Sequence, residues 1–357
     1  MTHTAVKAPD GLRPPGRALV RRGTLSVLLH RRSALVAAAL TLVLAVAVVA
    51  AICVGERTLS PVEVLKVAFG HPSPDRLTIE LLRLPRAAVG VVVGFAFGVA
   101  GALIQTVGRN PLASPDVIGV SQGAAALTVG LLVFGAISSP FAIPLVSVTG
   151  GMLTAAFVYV VAWRRGLHAQ RFVLIGIGIS IALGSLTHLF LIGADIFQAL
   201  HAKVWLTGSL KGRGWDEVKP VLVVLLAAVP CLLWASRAQR GLSLDDSTAV
   251  ALGNRLDRQR LGLAALGVVL ASVATGAAGS VNFVALVAPQ VAARLTRDAH
   301  IPLLSAGLAG AVIVVVADIV ARVALAPIQL PVGVITAMIG APYLMWLLIR
   351  ARAERPS

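Results

Sequence analysis

The stretch GRNPLASPDVIGVSQGA, residues 108–124, joins two apolar runs, 89–107 and 117–134. Proline lacks an N–H and biases the residue before it away from helix, so Asn110-Pro111 predicts the end of one helix. Ser114-Pro115-Asp116 predicts the start of the next, with Ser114 as cap and Pro115 in the first turn. A polar turn this short between two apolar runs reads as the tip of a helical hairpin. Gly119 and Gly123, four apart, leave room for the second helix to pack close to a neighbour.

The rest of the chain repeats that pattern. Hydrophobic residues make up 57% of it and charged ones 13%, with a mean hydropathy of +0.90. A water-soluble domain carries about a quarter charged residues, so the composition predicts an integral membrane protein. Apolar runs long enough for about 30 Å of hydrocarbon recur throughout. Ten are predicted, near 34–54, 87–107, 117–135, 141–163, 171–193, 220–236, 261–281, a short one at 284–294, 302–322 and 331–349. This divides the chain into a basic tail (1–33), a membrane domain (34–350) and a short C-terminal tail (351–357).

The formal net charge of +16 could indicate nucleic acid, but its distribution follows topology instead. With ten crossings and the N-terminus inside, about two thirds of the 31 Lys and Arg fall on the cytoplasmic side, the positive-inside pattern, and both termini are cytoplasmic. The acids divide evenly, which excludes a basic strip for nucleic acid. Cys53 and Cys231 lie in apolar runs with no ligand-spaced neighbours and read as small buried hydrophobes. No metal or cofactor site is predicted.

Four features remain. Asp318 and Arg322, four apart in the ninth run, can pair on one helix face, or Asp318 could carry a proton. Gly176, Ser180, Gly184 and His188 recur every four residues of the fifth run; such a stripe permits close helix packing or lines a wide path. The loop LSLDDSTAVALGNRLDRQR, residues 242–260, predicts two short helices parted by Gly253-Asn254, the first capped by Asp245, Asp246 or Ser247. Its Ala249-Val250-Ala251-Leu252 run forms an apolar face that a merely solvated loop would not need. None of the five lysines lies in a glycine-rich phosphate loop, so an energy source would have to be a partner.

GVAGALIQTVGRNPLASPDVIGVSQGA resembles the signature of the permeases of ATP-binding-cassette (ABC) importers for ferric siderophores, haem and vitamin B12, the FecCD/BtuC type. LLRLPRA (81–87), WLTGSLKGRGW (205–215), VALGNRLDRQR (250–260), GSVNFVALVAPQVAARL (279–295) and ADIVARVALAPIQLPVGVITAMIGAPYLMWLL (317–348) resemble further motifs of that family in the same order. One departure is Pro289-Gln290, where the family commonly has Pro-His. Permeases of the ferric-enterobactin branch also resemble this chain there.

The resemblance implies an all-α membrane fold of about ten helices, the type II importer permease fold, and the work of a permease subunit moving a ferric siderophore, with haem or vitamin B12 as the alternative cargo. It implies as partners a dimer of ATP-binding subunits, a substrate-binding protein and a second permease chain, a heterodimer being favoured in that branch. ATPase coupling is implied for Asp246, Ala249, Leu252, Gly253 and Asn254. Arg83, Arg86 and Arg322, read as an exposed, unpaired cluster, are implied to receive carboxylates of the binding protein, with interfacial snorkelling as the alternative. The translocation path is implied for Gly176, Ser180, Gly184, Thr187 and His188, and a cytoplasmic gate for Ala169 and Gln170. An ion-coupled secondary transporter would need Asp318 as carrier, and a membrane enzyme would need a catalytic grouping that no spacing here supplies.

Overall fold

The computed structural model describes residues 17–22, 25–55, 58–135, 142–162, 169–298, 300–326 and 328–353. The basic N-terminal segment holds an antiparallel hairpin, β1 (Arg17–Arg22) and β2 (Leu25–His30), paired from Arg17↔His30 to Arg22↔Leu25. All further elements are helical. The chain enters α1 (Arg31–Cys53), then α2 (Pro61–Ala68), whose first turn is set by Ser60, accepting from the Val62 N–H, and by Pro61. A π-helical turn, Thr78–Arg83, runs into α3 (Leu84–Gly108). There follow α4 (Val120–Val133), α5 (Ala142–Ala162), α6 (Ala169–Gly193), α7 (Ile196–Leu206), α8 (Trp215–Ala227), α9 (Val229–Leu242) and α10 (Asp246–Ala251). The fold ends with α11 (Leu256–Ala278), α12 (Val284–Thr296), α13 (Leu303–Val323) and α14 (Val332–Ala353).

Nine of the ten predicted apolar runs fall on one helix each and the run 220–236 falls on two, α8 and α9, but they are not alike. Among the described residues six spans are long and apolar enough to cross a bilayer. A seventh results if α8 and α9, bent by 53°, form one broken span. The bend has a local cause: Pro230 has no N–H for the Leu226 carbonyl four residues back. Helices α4 and α12 and the Val332–Leu347 part of α14 are apolar but shorter.

Helix α3 is the hub, 78% of its apolar window being buried, whereas α6 lies at the edge with 11%. Lipid tails are as apolar as the side chains, so packing in a bilayer depends on close van der Waals fit rather than on water release. Glycine supplies that fit: a Cβ at Gly94 or Gly98 of α3 would overlap the Gly310 or Ala306 carbonyl of α13. Helix α12 contains Pro289, whose missing N–H leaves the Ala285 carbonyl outside the helix ladder, and Gly101 of α3 backs directly onto that oxygen. Cys53 is buried as expected, but Cys231 is exposed on α9, because that helix turns this face away from the core.

Candidate functional site

The 108–124 turn organises one end of the molecule. Helix α3 stops as Arg109 adopts a left-handed φ of 44°, and Asn110 Oδ1 accepts from the Leu112 N–H at 2.9 Å. Ser114 Oγ accepts from the Val117 N–H at 3.3 Å, as a cap would, yet regular helix begins only at Val120. The delay has a backbone cause: Gly119 sits at φ 87°, a left-handed conformation that interrupts the helix and suits glycine. Gly123 then packs on Gly150 and Thr154 of α5, the close approach its spacing predicts.

Arg109 reaches from this turn to the segment joining α9 to α10. Its Nη2 donates to the carbonyls of Leu242 (3.2 Å) and Leu244 (2.8 Å) and pairs with Asp246 at 2.7 Å. Arg260, in the first turns of α11, holds the same Asp246 at 2.8 Å. The Arg260 hydrogen bond, opposed by partial desolvation and aided by Arg109, keeps the Asp246 carboxyl below the usual range. Of the three predicted caps of α10, Asp245 is the one used: its carboxylate accepts from the Ser247 hydroxyl and from the Thr248 N–H, which holds it far below its ordinary value. Gly253, at φ 82°, ends the helix; the Asn254 N–H returns to the Ala249 carbonyl at 3.0 Å and Asn254 Oδ1 accepts from Gln259 Nε2 at 3.1 Å. The second predicted short helix does not exist separately. Residues 256–260 are the first turns of α11, because nothing after Asn254 breaks the helical run. The predicted apolar face also divides. Ala249 is fully buried, while Val250 and Leu252 are 59% and 68% exposed at the tip.

The expected exposed, unpaired arginine cluster is a correction. Arg83 Nη1 donates to the Ile52 and Cys53 carbonyls at 2.7 and 3.0 Å, and Arg322 Nη1 to those of Ala51 and Val54, both at 2.9 Å. Ala51, Ile52 and Cys53 form the last turn of α1, where carbonyls have no partner within the helix, and Val54 follows directly; two guanidinium groups bond all four. Arg86 clamps Asp318, with Nη2–Oδ1 at 2.8 Å and Nε–Oδ2 at 3.2 Å, and donates to Gln329 Oε1 at 3.0 Å. Arg322 Nε completes the group at 3.2 Å from Asp318 Oδ2, as the spacing of four predicts. Asp318 is therefore shared by two arginines, one of them 232 residues away, and its side chain is only 4% exposed.

The stripe on α6 is a packing surface over most of its length. A Cβ at Gly176 would meet the Ile118 backbone at 2.7 Å, Ser180 Oγ lies 3.0 Å from the Cβ position of Gly119, and Gly184 faces Gln122. Along these positions the facing space is taken by the 108–124 turn and α4. Thr187 is buried, its hydroxyl spent on the Leu183 carbonyl at 2.8 Å, and His188 is exposed. Ala169 and Gln170 are the first residues of α6, and their side chains lie outside the described ones.

Two further contacts have no strong sequence signal. One is the reach of Arg109, in a turn that sequence alone reads only as a turn. The other is a polar link between α3 and α12: Gln290 Nε2 donates to Gln105 Oε1 at 2.6 Å, and Gln105 Nε2 to the Leu286 carbonyl at 3.0 Å. Polar residues inside apolar runs were the only hint of it.

The profile of the FecCD transport family matches residues 43–350. The achromobactin transport system permease protein CbrC of Dickeya dadantii (strain 3937) is 39% identical over 320 residues, covering 89% of this chain and 91% of that protein. The ferric enterobactin transport system permease protein FepG of Escherichia coli (strain K12) is 37% identical over 306 residues, 84% and 91% of the two chains. A solved structure of a metal-chelate type ABC transporter in an inward-facing conformation superposes with a TM-score of 0.76 at 27% identity, covering 89% of this chain and 99% of that one. A multi-pass fold with a helical tip at 246–251 and a match running through the membrane domain leave one assignment: the chain belongs to the FecCD transport family.

Proposed function

We propose that this chain is the permease subunit of an ATP-driven importer that moves a ferric siderophore across the cytoplasmic membrane. The observation that carries this is α10, a six-residue helix capped by Asp245, braced by Arg109 and Arg260, and ending in the exposed Val250 and Leu252. An apolar tip held rigidly at a polar surface is what an ATP-binding partner would cover. Family membership and the cargo named for the relatives support the rest of the reading.

In this scheme the chain makes ten crossings with both termini cytoplasmic, the bent pair and shorter helices completing the set inside the assembly. An ATPase dimer sits on α10, a substrate-binding protein on the opposite end, and a second permease chain, in a heterodimer, against the exposed side of α6. Arg83, Arg86 and Arg322 serve the receptor face by bracing the loops around α1 and Gln329 rather than by offering free charges. The purified chain should hydrolyse no ATP; adding its ATPase partner should give hydrolysis that the loaded binding protein stimulates. Hydrolysis by the chain alone would refute the assignment.

Orientation has its own check. With Cys53 and Cys231 replaced by Ala, Ser209→Cys should react with an impermeant thiol reagent added outside intact cells, and Ser247→Cys should not. The reverse pattern would invert every face assigned above.

A further inference from the structure

Helices α5 and α11 leave a groove of about 200 Å³ between them. The α5 wall runs from Met152 to Val160 and the α11 wall from Leu261 to Val268, over a floor of Ile104 from α3 and Ile118 from the 108–124 turn. Seven residues of helix measure about 10 Å, against about 15 Å for one leaflet's half of the hydrocarbon core. Ala156, Val160 and Leu261 are exposed, so the groove opens outward from two long apolar spans. Its lining side chains are apolar except for the Tyr159 hydroxyl, and water would gain few hydrogen bonds there.

The polar groups gather at one end. Tyr159 lies three residues before the end of α5, and Asp257 and Arg258 lie in the first turn of α11, one turn before Leu261. The Asp257 carboxylate is close enough to Tyr159 to act on it electrostatically. Arg258 is exposed, and its guanidinium makes no ion pair or hydrogen bond among the described residues. Arg255 adds a positive charge one turn farther from the groove. A negative and a positive side chain therefore stand next to each other at the mouth of an apolar groove. A ligand that matches all three carries an ammonium, a phosphate and a hydrocarbon chain.

We propose that this groove binds one phosphatidylethanolamine, in the cytoplasmic leaflet in the orientation given above, with an acyl chain between α5 and α11, its phosphate at Arg258 and its ammonium at Asp257. A primary ammonium donates hydrogen bonds to a carboxylate, which a trimethylated headgroup does not, and an anionic headgroup meets Asp257 as a like charge. Lipid tails gain little by leaving other tails, so affinity rests on fit to the groove and on the headgroup pair. The chain would lie on Ile118, in the same turn from which Arg109 braces α10, and so would help support that tip. The site depends on the membrane fold and not on the cargo or the protein partners proposed above.

Native mass spectrometry of the full chain, released from detergent micelles, reads the dissociation constant of the first bound lipid. With identical acyl chains, phosphatidylethanolamine should bind about three- to tenfold more tightly than phosphatidylcholine or phosphatidylglycerol. Arg258→Gln and Asp257→Asn should each weaken it by about two- to fivefold, the range of an exposed charge pair, and Asp257→Asn should strengthen phosphatidylglycerol. Ala156→Phe, at an exposed wall position, should fill the groove and weaken all three lipids by about threefold or more, with the unfolding temperature in lipid-free detergent unchanged. Glycerophosphoethanolamine, the same headgroup without chains, should not compete, which tests the groove without any variant. Equal affinities for the three lipids, or tightest binding of phosphatidylglycerol, would overturn the proposal. So would unchanged affinity in Ala156→Phe or competition by the chain-free headgroup, since either places the lipid outside the groove.

Discussion

Leu252→Asp should abolish substrate-stimulated ATP hydrolysis and uptake together, while the chain still folds and still binds its receptor. The residue ends α10 and is 68% exposed, so the free permease loses almost nothing when it becomes polar. In the assembly the same side chain would be covered by the ATPase. Losing one buried leucine costs about 1.5–3 kcal/mol, and an unpaired carboxylate in the contact adds to that. A sum near 3 kcal/mol already weakens docking by more than about a hundredfold. The ATPase should keep its basal turnover when measured alone, which separates uncoupling from loss of the enzyme. Arg109→Ala should have the same sign and a smaller size, because its pair with Asp246 is about half exposed and such pairs contribute at most about 1 kcal/mol. Wild-type uptake in Leu252→Asp would remove α10 from the energy path.

How much of this was legible in the sequence depends on the distance over which each feature is decided. The apolar runs, the stop at Asn110-Pro111 and the use of Asp245 as a cap are set within one or two turns of chain. The sequence therefore places them within a few residues. The extra turn before α4 escaped because Gly119 could serve either as packing space or as a left-handed hinge, and it does both. The stripe on α6 gave its spacing but not its partner. Small residues leave room, and only the fold shows that Ile118 and Gly119 fill it. Six residues of α10 are too few for a period to point to the core, so Val250 and Leu252 could not be told from Ala249, and an apolar run read for its length alone does not tell Cys231 from Cys53. The arginines were the hardest case. Their type and position suited a surface cluster, but the carbonyls left open at the end of α1 and the carboxylate on α13 lie far away in sequence.

Asp318→Asn should destabilise the chain strongly, because it removes the one carboxylate between two guanidinium groups. Breaking a buried pair by deleting one partner typically costs about 3–5 kcal/mol, since the surviving charge is left uncompensated. Arg86 keeps Gln329, and Arg322 keeps the carbonyls of Ala51 and Val54, so the loss should fall toward the lower end of that range. Thermal unfolding in detergent would read it, and Arg86→Met should be destabilising too. The double variant should recover part of the loss, by an interaction energy within about 0.5–3 kcal/mol, because removing both partners leaves one fewer orphaned charge. Strict additivity would mean that the two residues act independently despite their 2.8 Å contact. The same variant decides between a lock and a proton carrier. A carrier must let go of its partners in each cycle, whereas a lock keeps both arginines throughout. If Asp318 is a lock, whatever folded Asp318→Asn remains should still take up iron at the expense of ATP and without regard to an uncoupler; a stable Asp318→Asn chain that has lost an uncoupler-sensitive uptake would make it a carrier instead.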